Sequence, residues 1–383
     1  MKLALIRQRY TPFGGAERFM DRAITALGDS AEVTVLAREW RGQAAGYRFI
    51  ECNPAHHGNV SRDRNFVEMV KVALAREQFD LVQSHERMTP NGINAPFVYR
   101  AGDGVHATWL RERARAQGKI GALRNALNPY HRYMVNLEAA MFTHANLAGV
   151  ICNSRMVRDD IAARFAVPDA RLHVIHNGVD LQKYHSVSLE EMAETRSHQG
   201  FPSDSPLLLY VGSGFERKGV KNLLHAFARA GGAAHLAVVG ADKHIGRYSY
   251  MAKRLKIAGR VRFLGAVQDV APLYAAADAF VLPTLYDPMP NAALEALACG
   301  LPVLTTPACG AAELLSEGVN GHVRDALDVD GLAQAMTLLI DRTRDPARAA
   351  PMRAAARASV EHLSLDAMAA KLLALYRSVT ARR

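Results

Sequence analysis

The chain predicts an α/β protein built from two doubly wound domains, and three observations carry that expectation. Its 383 residues suit two domains of ordinary size, and a hydrophobic fraction of 49% can fill two cores. Short apolar runs alternate with longer helix-forming stretches, the spacing of parallel strands joined by helical crossovers. The plainest such unit runs from 279 to 305. An apolar run at 279–283 leads through a Pro-rich loop to helix formers at 291–299, which Gly300 ends, and 301–305 reads as the next strand.

Composition narrows the class. No run approaches the ~20 apolar residues of a membrane span. The opening Met1 to Arg7 is too short and too soon charged for a signal peptide and reads as a first strand. Cys52, Cys152, Cys299 and Cys309 show no C-x-x-C pairing, so reduced thiols in a cytosol are the default. A net charge of +10, from 47 Lys+Arg against 37 Asp+Glu, points to phosphates, nucleic acid or acidic lipid without choosing between them.

In the first half, residues 3–6 form a strand and 16–27 a helix. Gly14 and Gly15 at their junction let the backbone approach a ligand closely, or simply turn the chain into the helix. They do not make the dinucleotide fingerprint G-x-G-x-x-G, which removes the best support for a dehydrogenase. Arg7 and Arg9 serve phosphates or face solvent with equal weight. Residues 33–36 are a second strand, 61–76 an amphipathic helix, and 80–83 and 96–99 further strands. His56 and His57 lack companion ligands, so no metal is expected there.

After the strand at 96–99, Gly102 and Gly104 place Asp103 on an open turn, with His106 close behind. A carboxylate at a strand's C-terminal end can take a proton from a substrate hydroxyl or hold a substrate, although Asp is also common in plain turns. The segment 107–133 carries Arg111, Arg113, Arg115, Lys119, Arg124 and Arg132 against a single acid, Glu112. Trp109, Leu110, Ile120, Leu123, Leu127 and Tyr130 are interleaved. Such a segment can lie on an anionic bilayer. Nucleic acid would use the same charges, and a solvated helix with a core-facing apolar side is the ordinary alternative. Residues 149–154 form a strand reaching a helix cap, and 171–176 a strand ended by the turn at Asn177 and Gly178. Pattern is lost over 182–205, which sets the domain boundary at 185/186.

The second half, 186–363, opens with a buried strand at 207–211. Gly212 and Gly214 open the following turn, where Arg217 and Lys218 stand side by side and can grip a diphosphate. Taken alone, that loop is more simply a solvated basic turn. Strands at 234–240 and 260–264 precede the unit at 279–305. There Asp287 occupies the loop at a strand's C-terminal end, where open α/β sheets bind ligands. Glu295 sits about a turn inside the helix. Between them Met289, Pro290, Asn291 and Ala292 form a helix start whose free N–H groups suit a phosphate. A phosphate flanked by two hydroxyl-binding carboxylates describes a nucleotide-sugar, although on spacing alone a solvated Asp and Glu is the simpler reading. Residues 346–383 are Ala-rich and helical.

Two acids separated by seven residues and followed by Ala296 to Val303 resemble the E-x7-E signature of the retaining GT-B glycosyltransferases of family 4, with Asp287 in place of the first Glu. The resemblance extends to Gly14 and Gly15, to the loop with Gly214, Arg217 and Lys218, and to the turn at 177–180. It covers nearly the whole chain. It implies two Rossmann-like domains facing a cleft, an acceptor domain at 1–185 and a donor domain at 186–363, with a last helix at about 364–383 crossing back to the first. The branch most resembled, the lipopolysaccharide core glucosyltransferases, carries an Asp where Asp103 stands. Other branches carry a His in this loop, which leaves His106 the second candidate.

The implied activity is retaining, metal-independent transfer of a hexose, UDP-glucose being the expected donor, to a lipopolysaccharide core or related lipid-linked saccharide. The resemblance gives Lys218, Arg217 and Gly214 to the diphosphate, Glu295 to the ribose and Asp287 to a sugar hydroxyl. No cofactor and no metal are implied. Asp328 and Asp330 have the D-x-D spacing of metal-dependent transferases but read as the cap of a helix over 331–342. The enzyme is expected in the cytoplasm, peripheral on the inner membrane face through the basic segment, with no specific nucleic acid. A nucleotide-sugar epimerase would share the architecture. A nonspecific nucleic-acid binder would explain the charge but not Asp287, Glu295 and Lys218 together.

Overall fold

The computed structural model describes residues 1–9, 15–40 and 46–381. The chain divides into two compact units, Met1–Gly178 with Leu365–Arg383, and Val179–Ser364.

The first unit is built on β1 (Lys2–Ile6), β2 (Glu32–Ala37), β3 (Tyr47–Glu51), β4 (Leu81–Ser84), β5 (Phe97–Arg100), β6 (Leu147–Cys152) and β7 (Leu172–Val174). They form one parallel sheet in the order β3-β2-β1-β4-β5-β6-β7. Register is set by apolar pairs such as Leu3 beside Val33 and Leu81. Its helices are α1 (Gly15–Leu27), α2 (Gly58–Leu74), α3 (His106–Leu127), α4 (Pro129–Phe142) and α5 (Arg155–Phe165). On one face Phe19, Met20 and Ile24 of α1 pack with Leu3, Leu5 and Val35. On the other, Phe66 and Val70 of α2 and Met141 of α4 cover Ala4, Val82 and Tyr99. Strands buried on both faces must be apolar throughout, which is why these runs read clearly in the sequence.

The second unit repeats the scheme with β8 (Leu207–Val211), β9 (His235–Val239), β10 (Val261–Gly265), β11 (Ala279–Val281), β12 (Val303–Thr305) and β13 (Gly321–Val323), in the order β10-β9-β8-β11-β12-β13. Its helices are α6 (Leu189–His198), α7 (Val220–Ala230), α8 (Ile245–Arg254), α9 (Ala271–Ala276), α10 (Asn291–Ala298), α11 (Val329–Thr343) and α12 (Pro346–Ala358). The last helix, α13 (Leu365–Thr380), packs Met368, Leu372 and Tyr376 onto the first unit's core. The Tyr376 hydroxyl donates to Gln83 Oε1 at 2.6 Å.

In both sheets the strand order reverses at one point, between β1 and β4 and between β8 and β11. Chains leaving adjacent strands there diverge to opposite faces and open a crevice at the C-terminal strand ends. Arg217, Lys218 and Asp287 lie in the loops at the second of these points, whereas Asp103 and His106 follow β5, one strand beyond the first.

Three expectations are corrected. The division falls at 178/179 rather than 185/186, because residues 179–185 are held by the second unit. Val179 N–H donates to Leu363 O, and Arg357 donates to the carbonyls of Leu181, Tyr184 and Ala298. The stretch 182–205 is not patternless, since α6 lies within it. This helix rests on a cap, Ser188 Oγ accepting from Glu191 N–H, and on buried Arg196 paired with Asp278 at 2.9 Å. Neither device leaves an apolar stripe to read. The third concerns β3, an edge strand that sequence periodicity did not reveal, with Phe49 partly exposed.

Candidate active site

In the second unit, the loop after β8 and the loop after β11 flank the switch point and are laced together. Leu285 N–H and Thr284 Oγ1 donate to Arg217 O, and the Arg217 guanidinium donates to Tyr286 O at 3.0 Å. Gly219 makes this closeness possible. Its φ is +76°, and a Cβ there would fall 1.9 Å from Pro283 O. The Lys218 ammonium and the Asp287 carboxylate meet in an ion pair, with side chains only 11% and 8% exposed. Burial, with the Arg217 charge adding to it, pulls Lys218 down to about 7. The carboxylate contact acts the other way, favouring the cation. Asp287 is itself fixed by its backbone, which exchanges hydrogen bonds with Ala308 O and Gly310 N–H. Gly214 holds φ +75° at the open edge of the first loop.

Pro290 stands at the N-cap position just before α10 and makes no side-chain cap hydrogen bond. Met289, Pro290 and Asn291 are buried and Ala292 is half-buried. Glu295 is 1% exposed, and the Tyr274 hydroxyl lies 3.1 Å from Ala292 O and 3.3 Å from Glu295 Oε2. Glu295 lies within a helix whose residues are almost all buried, α10 being covered by the sheet and by α12.

In the first unit, Asp103 and His106 occupy the turn between β5 and α3. The Asp103 carboxylate is 57% exposed, with Arg7 Nη1 3.8 Å away. Arg7 also pairs with Glu86 at 3.3 Å, so its charge faces carboxylates of this unit. Burial raises the Glu86 carboxyl, with Arg7 opposing. Arg87 and Glu138 lock the turn. Arg87 donates to Glu138 Oε1 at 2.6 Å and to Gly104 O at 2.8 Å, and His106 N–H donates to the same Glu138 oxygen at 2.7 Å. Burial, then the charges of Arg87 and His131, push His106 down to about 3, so its ring is neutral at physiological pH. Gly14 lies outside the described residues, and Gly15 is the first residue of α1.

The basic segment becomes two helices. α3 is kinked at Gly118, whose φ is +70°, and Asn128 caps α4. Glu112 engages Arg111 and Arg115. Beyond the kink Ile120, Leu123 and Leu127 are 77%, 62% and 69% exposed, beside Lys119 and Arg124. No described helix is long and apolar enough to cross a membrane.

Asp328 caps α11 through Gly331 N–H, and Asp330 pairs with Arg229. Among the described residues no group of three or more His, Cys, Asp or Glu is arranged to hold a metal ion. Sequence reasoning missed Glu86, Arg87, Glu138, Tyr274 and His131. Their partners stand tens of residues away, and no local pattern marks them.

Residues 13–183 match the family described as Glycosyltransferase Family 4, and residues 191–358 the family described as Glycosyl transferases group 1. The chain is 28% identical to lipopolysaccharide glucosyltransferase WaaG of Escherichia coli K12, over 84% of this chain and 85% of that protein. It is 27% identical to lipopolysaccharide core biosynthesis glycosyltransferase LpsE of Rhizobium meliloti, over 85% and 86%. The crystal structure of WaaG, a glycosyltransferase involved in lipopolysaccharide biosynthesis, superposes with a TM-score of 0.82 at 25% identity, covering 97% of this chain and 98% of that one. Anabaena Alr3699/HepE, solved with UDP and glucose, shares the fold with a TM-score of 0.75 at 21% identity, covering 99% and 100%.

Proposed function

Because the chain belongs to the GT-B glycosyltransferases, we propose that it moves a hexose, glucose foremost, from a UDP-sugar to a saccharide of the lipopolysaccharide core or a related glycolipid, with retention and without a metal. The observation that carries this is the buried pair of Lys218 and Asp287, in the loops on either side of the second sheet's switch point. An ammonium has three donors, so Lys218 can keep Asp287 and still meet a phosphate oxygen. Its charge, Arg217 and the α10 N–H groups would oppose the negative charge growing on the leaving diphosphate, a preorganised electrostatic stabilisation. Asp287 would hold a sugar hydroxyl and Glu295 the ribose. In the first unit Asp103 would orient the acceptor hydroxyl and take its proton as the new bond forms. The names of the lipopolysaccharide relatives support the acceptor class.

The segment beyond Gly118 supports docking on an anionic membrane surface from the cytoplasmic side. Exposed Ile120, Leu123 and Leu127 give apolar area to bury, and neighbouring cations give attraction to acidic headgroups.

A thermal-shift screen of nucleotides and nucleotide-sugars, followed by transfer of labelled sugar to truncated lipopolysaccharide, tests the reading. A donor at 100 times its Kd should stabilise the fold by about 2.7 kcal/mol. Stabilisation by UDP-glucose with label reaching the lipid fraction is the expected result. Absence of both removes the proposal, and label released as free sugar with no acceptor favours an epimerase or hydrolase.

A further inference from the structure

His106 touches a second imidazole, and the order of hydrogen bonds around the two rings fixes where their protons sit. Arg113 Nη1 lies 3.4 Å from His131 Nε2, and His131 Nδ1 lies 3.1 Å from His106 Nε2. A guanidinium has only donors, so His131 Nε2 must accept. A neutral imidazole that accepts at one nitrogen carries its proton on the other, so His131 donates from Nδ1. The nitrogen it meets, His106 Nε2, must then accept, which leaves the His106 proton on Nδ1. The two rings are tilted at 43° with centroids 5.2 Å apart.

Neighbours hold this arrangement. The Tyr130 ring stands edge-on to His106, and its hydroxyl donates to Asp63 Oδ2 at 3.1 Å. Asp63 also accepts from Gln8 Nε2 and Arg62 Nε. The backbone of His106 is pinned to Glu138. No partner for His106 Nδ1 is found among the described residues.

We propose that Arg113 and His131 are positioning residues that lock His106 in its Nδ1–H tautomer and so make it a hydrogen-bond donor to an acceptor-sugar oxygen rather than a base. The assignment rests on the acceptor role proposed above for this turn, but the tautomer itself is a property of the protein alone. Charge moves only as far as a hydrogen bond, and no proton leaves His106. The lone pair that would serve a base, on Nε2, is already engaged by His131. Arg113 therefore has a role within the basic segment separate from that of Arg111 and Arg115, which pair with Glu112. It is the end of a relay from α3 through α4 back to the first residue of α3.

Two-bond proton–nitrogen correlation spectra of the whole chain, labelled with 15N-histidine, test this at neutral pH. The His106 signals, assigned by loss in His106→Gln, should show the proton on Nδ1. In Arg113→Met and in His131→Phe they should move to a mixture of tautomers or to Nε2–H. His131→Asn, whose amide N–H can still meet Nε2, should restore the Nδ1–H form. In transfer assays the disrupted variants should raise the acceptor KM several-fold and leave donor Kd unchanged. Nε2–H in the wild-type chain overturns the proposal, as does a His106 tautomer unmoved in both disrupted variants. An unchanged acceptor KM alongside the tautomer shift overturns the positioning role. A chain that transfers no sugar at all fails the proposed function, while the spectra still decide the tautomer.

Discussion

Lys218 and Asp287, one from each loop flanking the switch point of the second sheet, form a buried ion pair 69 residues apart in sequence. Removing one partner strands the other charge in a low-dielectric setting. Lys218→Met or Asp287→Asn alone should destabilise by about 3–5 kcal/mol, while the double variant regains most of that loss. Chemical denaturation of the four proteins measures the cycle. Strict additivity would show that the contact contributes nothing.

The same pair makes donor binding pH-dependent. Lys218 is drawn down to about 7 in the free protein. A bound diphosphate favours the ammonium and raises that value, so the complex holds more protons than the free protein above pH 7. UDP-glucose affinity should be highest below pH 7 and fall above it, by at most about tenfold per pH unit for one proton. Calorimetry in buffers of different ionisation enthalpy reads the proton uptake. Lys218→Met should bind weakly with a flat profile. A flat profile in the wild type means that Asp287 keeps Lys218 charged throughout.

Asp103 stands exposed on its turn, so it can change without disturbing a core. Asp103→Asn keeps shape and removes basicity. Turnover should fall by roughly the 10²–10⁴-fold of a positioned acid or base, with donor affinity near normal. His106→Ala should cost less turnover and act on the acceptor KM. The reverse ranking would exchange their roles.

Glu295→Gln retains an oxygen for the Tyr274 hydroxyl inside α10. Stability should change by about 1 kcal/mol or less. Transfer should drop about tenfold or more, because a charge-assisted bond to a ribose hydroxyl is weakened. A variant that no longer melts cooperatively would assign Glu295 to the core instead.

Vesicle co-sedimentation should rise with anionic lipid and fall with salt, since exposed charges are screened within a Debye length of about 10 Å at 0.1 M. Replacing Ile120, Leu123 and Leu127 by Ser should reduce binding at every salt concentration, whereas Lys119→Gln with Arg124→Gln should reduce it mainly at low salt. Equal binding to neutral vesicles counts against the anionic-surface reading.

The sequence by itself determined the two doubly wound units, because strands buried on both faces and their crossover helices leave local periodicities of composition. It also determined where to look. The spacing of Asp287 and Glu295, the basic turn at Arg217 and Lys218, and the glycines around Asp103 are local patterns at strand ends. Only the tertiary structure decided how those residues are used. The contact of Lys218 with Asp287, of Arg87 with Glu138 and of His106 with His131 joins positions 69, 51 and 25 residues apart. Such contacts follow from strand order and from how the helices and loops pack, and a local pattern carries no record of them. The same holds for the burial of Glu295, the pairing of Arg7 with carboxylates and the exposure of Ile120, Leu123 and Leu127. Whether a side chain meets solvent, a counter-ion or a core depends on neighbours supplied by distant parts of the chain.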